Sequence, residues 1–137
     1  SRWAGDPWTA LVVRTLPNDP AKRARVYEGD CPAPYFTPAA MRWVVERDVE
    51  SLVVDLPSLD RADDGGELVA HRLYWGLPGG ATDARQARRG QALVTELAYV
   101  PECAQDGLHL LELHVPAFGA DAAPSRPLLY PVSEATP

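Results

Sequence analysis

Histidine is scarce in this chain: 3 among 137 residues, at His71, His109 and His114. Cysteine is scarcer, with Cys31 and Cys103 far apart in the sequence. They form no C-x-x-C pair, which excludes a zinc ribbon or a dithiol redox motif. Such sparse usage favours two free thiols in a reducing, cytoplasmic setting, and a single disulfide stays open. No apolar run approaches the roughly 20 residues that cross a bilayer, and no charged-then-apolar leader opens the chain, so a membrane partner is not expected. Positive charge is in deficit, with 13 Lys and Arg against 19 Asp and Glu and a net charge of −6. That balance disfavours a nucleic-acid partner, whose phosphates demand a basic surface. The short basic cluster "DARQARRG", residues 83–90, reads as a solvated surface segment. A Walker loop is missing, Ser58 has no G-x-S-x-G context, and Asp60, Asp63, Asp64 and Gly65 do not have EF-hand spacing.

What is present is an ordinary globular balance, 46% apolar and 23% charged, in a length that suits one domain over residues 1–137. Its 14 prolines favour short strands and turns over long helices. The chain begins at Ser1 rather than Met, as an excised or processed piece would. "TALVVRTL", residues 9–16, reads as a β-branched strand ended by Pro17. The Pro- and charge-rich stretch after it, to Tyr35, is long for a loop and is expected to cover something or lie at the surface. "TPAAMRWVVERDV" reads as a helix, with Thr37 as N-cap, Pro38 in the first position and Met41, Val44, Val45 and Val49 on one face. "SLVVDLP" follows as a short buried strand, placing Asp55 near a strand's carboxyl end, where sites often form. "LVAHRLYWG" reads as a short helix closed by Gly76. Strands are expected over residues 91–100, 108–115 and 126–132. The resulting fold class is mixed α/β and β-dominated.

Few residues here carry chemistry. His109 and His114 lie five apart on one expected strand, so they face opposite ways and cannot share a metal. His71 has better neighbours: it follows Asp55, Ser58 and Asp60, and Tyr74 and Trp75 beside it are candidates for a pocket wall. Imidazole is the commonest metal ligand and a base near neutral pH, although pattern alone still favours a structural histidine. Glu96 sits within the apolar "LVTELAY", where a carboxylate is either on a solvated face or buried and paired, and the pattern leaves both open.

Taken together, "LVVDLPSLDR", "AHRLYW", "ALVTELAYVPE" and "GADAAPSRPLL" resemble the carboxyl-terminal half of the cyclase family of metal-dependent hydrolases, from about Thr9 to Val132. That family includes kynurenine formamidase and isatin hydrolase. The resemblance implies a swivelling β/β/α domain, here incomplete, and hydrolysis of a C–N bond in a formamide or cyclic amide. It implies a small-molecule amide substrate, one or two divalent ions, zinc or manganese, and a homo-oligomer. By the same resemblance His71 is a metal ligand and the catalytic base, Glu96 is the late carboxylate ligand, and Asp55, Ser58 and Asp60 form the supporting turn. The family's H-x-G-T-H-x-D-x-P-x-H segment is missing from this chain. Two ligands hold an ion poorly, so residues 1–137 are expected to be a truncated piece, inactive alone. The competing reading is a non-catalytic binding module that keeps the fold without the ligand motif.

Overall fold

The computed structural model describes residues 9–28, 31–120 and 122–132. Asp121, part of the family-like "GADAAPSRPLL", lies outside them. The chain divides into two compact units, Ser1–Tyr99 and Val100–Pro137. It is a small mixed α/β protein.

The first unit is built on three parallel strands, β1 (Ala10–Val13), β2 (Ser51–Val54) and β3 (Leu93–Thr95), in the order β1-β2-β3. Parallel neighbours need long crossovers, and two short helices provide them: α1 (Pro38–Val45) between β1 and β2, and α2 (Val69–Trp75) between β2 and β3. A strand order that advances without reversal puts both helices on one face when the crossovers share a hand. Both do pack there, joining Leu52 and Val54 of β2 in one core with Met41, Val44, Ala70 and Tyr74. Val53 points the other way and is equally buried, so β2 is covered on both faces.

Local chemistry sets the helix ends. The Thr37 side chain accepts from the Ala40 N–H at 3.2 Å, and Pro38 takes the first position, as expected. α1 stops at Val45 rather than running to Val49, because Asp48 takes a left-handed φ of 55° that ends the turn. Val49 is still fully buried. α2 closes at Gly76, whose φ of 62° lets its N–H reach back to the carbonyls of Arg72 and Leu73. A Cβ there would also stand 3.2 Å from the Arg88 Cβ.

Two further sequence expectations need correction in this unit. The strand expected over residues 91–100 is only β3, because Leu97 adopts a left-handed φ of 56° and the chain turns out of the ladder. The "DARQARRG" cluster is not wholly solvated: Arg89 donates to the carbonyls of Tyr74 and Val49 and stacks 4.9 Å from the Tyr74 ring centroid. The long segment after β1, expected to cover something or lie at the surface, carries a 3-10 turn, Pro20–Ala24, and covers Asp55 with the buried Lys22.

The second unit contains β4 (His109–Glu112) and β5 (Leu128–Pro131), paired antiparallel with Leu110 opposite Tyr130. β4 ends before His114, which leaves the strand and pairs with Glu112 at 2.7 Å. No helix among the described residues is long and apolar enough to cross a membrane.

Candidate functional site

The carboxyl ends of the three parallel strands gather the polar side chains of the first unit. Thr15 follows β1, Asp55 follows β2 and Glu96 follows β3. This is the edge where open parallel sheets place their sites, since each strand there hands over to a loop. Two separate constellations form along it.

The first is Asp60–His71–Glu96. The turn after β2 brings Asp60 to the start of α2, where its carboxylate accepts from the backbone N–H groups of Ala70 and His71. The acidic loop helps, because Asp64 accepts from Gly66 N at 2.8 Å and Leu68 N at 2.7 Å and so shapes the entry to the helix. Asp64 is thereby occupied as a loop cap. Ser58 Oγ accepts from Asp60 N at 3.1 Å and fixes the Asp60 backbone. The same Asp60 carboxylate sits 2.6 Å from His71 Nδ1. Because Asp60 faces the ring as an acceptor, Nδ1 carries the proton, and the neutral ring directs its Nε2 lone pair outward.

Glu96 meets that lone pair. Its Oε1 lies 3.3 Å from His71 Nε2 and accepts from Leu59 N at 2.9 Å. Glu96 is not mid-strand, as its pattern suggests, but one residue beyond β3. The left-handed Leu97 next to it redirects the chain, with Leu97 N bonding to Leu56 O and Ala98 N to Val54 O. Leu68, three residues before His71, is left-handed too, at φ 49°. Bulky residues rarely accept such a backbone, and here two of them flank the His–Glu pair.

Two acceptors 3.3 Å apart repel unless a cation sits between them. A proton is one solution. The His71 pKa is raised even though burial, the largest single influence, lowers it; hydrogen bonds and charge from Glu96 and Asp60 together outweigh that burial. A metal ion is the other solution. Two donors each about 2.0–2.2 Å from one tetrahedral ion stand about 3.3–3.5 Å from each other. The pair therefore fits one edge of a metal's coordination shell, with Asp60 orienting the imidazole from behind. It fits only an edge: no three His, Cys, Asp or Glu side chains among the described residues gather as a ligand set.

The remaining expected site residues divide. Trp75 lies against His71, with ring centroids 5.2 Å apart, and anchors its Nε1–H on Ala92 O at 2.9 Å. Tyr74 forms no pocket wall. It is fully buried, and its hydroxyl bonds to the carbonyls of Val49 and Leu93, each at 3.1 Å. Burial pushes the Tyr74 phenol up to about 12 against the opposing pull of Arg89. Asp55 supports a different structure.

That structure is the second constellation, which the sequence reading missed. Lys22 Nζ meets Asp55 Oδ2 at 2.7 Å, with the two side chains 4% and 1% exposed. Asp55 also accepts from Thr15 N at 2.9 Å and Thr15 Oγ1 at 3.1 Å. Lys22 donates further to Thr15 O and faces Asn18 Oδ1 at 3.5 Å. A cavity of about 280 Å³ opens beside this pair, lined by Lys22, Arg23, Arg25, Tyr27, Asp55, Leu97 and Tyr99. The density of basic residues at 22, 23 and 25 was the available signal, obscured by the loop's overall polarity. A larger hollow of about 480 Å³ belongs to the second unit, between His114 and Arg126, and holds none of the expected site residues.

No family model, curated protein or solved structure matches this chain.

Proposed function

We propose that the chain is part of a metal-dependent hydrolase of the cyclase type, cleaving a C–N amide bond of a small substrate, with the swivelling β/β/α fold of that family. The observation that carries this reading is the His71 Nε2–Glu96 Oε1 edge of 3.3 Å, with the opposite ring nitrogen tied to Asp60. His71 and Glu96 would hold a zinc or manganese ion, whose chemistry there is to polarise the amide carbonyl and lower the pKa of water. Asp60 holds the imidazole in the tautomer that leaves Nε2 free. Ser58 holds Asp60, and Trp75 limits the ring's rotation. Two donors bind an ion weakly, so this chain by itself has little hydrolase activity, and the remaining ligands come from elsewhere in the working assembly, a homo-oligomer by the same family likeness.

Metal titration of the full chain tests the reading. Zinc or manganese should bind weakly and perturb the His71 ring resonances. Both His71→Ala and Glu96→Gln should abolish that binding. Undiminished binding in either variant would overturn it, whereas amide hydrolysis by the metal-loaded chain alone would refute only its low activity in isolation. One observation favours a second reading, a binding module without catalysis: among the described residues no third ligand joins the pair. Loss of metal binding at every pH with the Asp60–His71–Glu96 contacts intact would support that alternative.

A further inference from the structure

The cavity beside Lys22 has a composition that the metal edge does not explain. Its volume, about 280 Å³, is at the small end of the roughly 300–1,000 Å³ typical of ligand sites. Three cations line it, Lys22, Arg23 and Arg25, with one lining carboxylate, Asp55, while Asp19 pairs with Arg25. Lys22 is committed, since its ammonium is shared among Asp55, Thr15 O and Asn18. Arg25 uses Nη2 on Asp19 at 3.2 Å. Arg23 has no carboxylate partner among the described residues, and its guanidinium lies 5.8 Å from the Tyr99 ring centroid.

A guanidinium placed over a ring keeps its in-plane N–H groups free, and that fork matches a carboxylate. The remaining lining is suited to an apolar plane. Tyr27 and Tyr99 are half-buried, and Leu97, 71% exposed, stands at the cavity in its left-handed conformation. An exposed leucine held in a disfavoured backbone is costly without a partner for its side chain.

We infer that this cavity is a binding site for a small aromatic carboxylate, with Arg23 and Arg25 taking the carboxylate and Tyr27, Tyr99 and Leu97 packing the ring. The site goes beyond the proposed hydrolase function and does not depend on metal at His71 and Glu96.

Benzoate is the probe, titrated calorimetrically into the full chain in the presence of a chelator. Acetate supplies the charge without the ring, and benzamide the ring without the charge. Benzoate should bind saturably and at least about tenfold more tightly than either control. Arg23→Gln, on an exposed turn, should weaken benzoate by about tenfold, the loss of one charge-assisted pair. Leu97→Asn, which suits the left-handed backbone, should weaken benzoate and leave acetate unchanged. Replacing the chelator with zinc should leave benzoate affinity unchanged, separating this site from the metal edge. The proposal is overturned by benzoate and acetate binding alike, by Arg23→Gln without effect, or by benzoate binding that requires zinc.

Discussion

Replacing Lys22 with Met removes an ammonium from a place almost without water. Lys22 and Asp55 are 4% and 1% exposed, and their atoms meet at 2.7 Å. The methionine keeps much of the lysine's length, so packing is largely retained and the charge is what is lost. Asp55 keeps its two bonds from Thr15, which soften the loss. An uncompensated buried charge still costs about 3–5 kcal/mol. A chain of this size has a total stability of roughly 7–20 kcal/mol, so the effect is a large share of it. With a urea m-value of about 2 kcal/mol/M, the midpoint should fall by about 1.5–2.5 M. Urea unfolding followed by the summed emission of the chain's 4 tryptophans reads this directly. The companion is Lys22→Met with Asp55→Leu. Removing both charges should leave the double variant less destabilised than the two single losses added, by about 1–3 kcal/mol. A Lys22→Met midpoint within about 0.3 M of the parent, or strict additivity in the cycle, would refute the reasoning and show the pair to be solvated.

Four other outcomes follow from the same geometry. In Glu96→Gln, burial of His71 is opposed by Asp60 alone, so the His71 pKa should fall, as read by the ring proton shift against pH; an unchanged pKa would remove Glu96 from the pair. Because the His71 pKa is raised in the fold, its protonation stabilises the protein fully below the ordinary value of 6.5 and less as pH rises through the folded value, so Glu96→Gln should show a shallower loss of stability above 6.5 in urea titrations across pH. Asp60→Asn should weaken metal binding at His71 by about 10–100-fold, because the imidazole loses its orienting carboxylate, and equal affinity would deny Asp60 that role. Gly76→Ala should lower stability by about 1–2 kcal/mol from the left-handed backbone alone, with the Arg88 contact adding to it, measured by thermal unfolding.

The start of α1 and the close of α2 were legible because they depend on neighbours in sequence. Thr37 and Pro38 start α1, and Gly76 closes α2, through bonds that span three or four residues. The apolar run of β2 was legible for the same reason, since one short segment carries its burial. The extent of β3 was not. Its largely apolar run resumes after Glu96, and the left-handed turn at Leu97 has no glycine to announce it. Tyr74 looked like a wall for His71 because it lies beside it in sequence. Its hydroxyl instead reaches carbonyls at Val49 and Leu93, which only the folded sheet edge brings near.

The sequence by itself determined a small mixed α/β protein, the start of α1 and the close of α2. It also offered Asp60, His71 and Glu96 as site residues, by an expected resemblance rather than through spacing, and passed over Lys22 and Arg23. The tertiary structure alone decided how they meet: Asp60 behind the imidazole, Glu96 in front of it, and Asp55 turned away to Lys22, 33 residues earlier. The physical reason is the parallel sheet. Its strands are joined by long crossovers, so residues that share its carboxyl edge are neighbours in space and strangers in sequence.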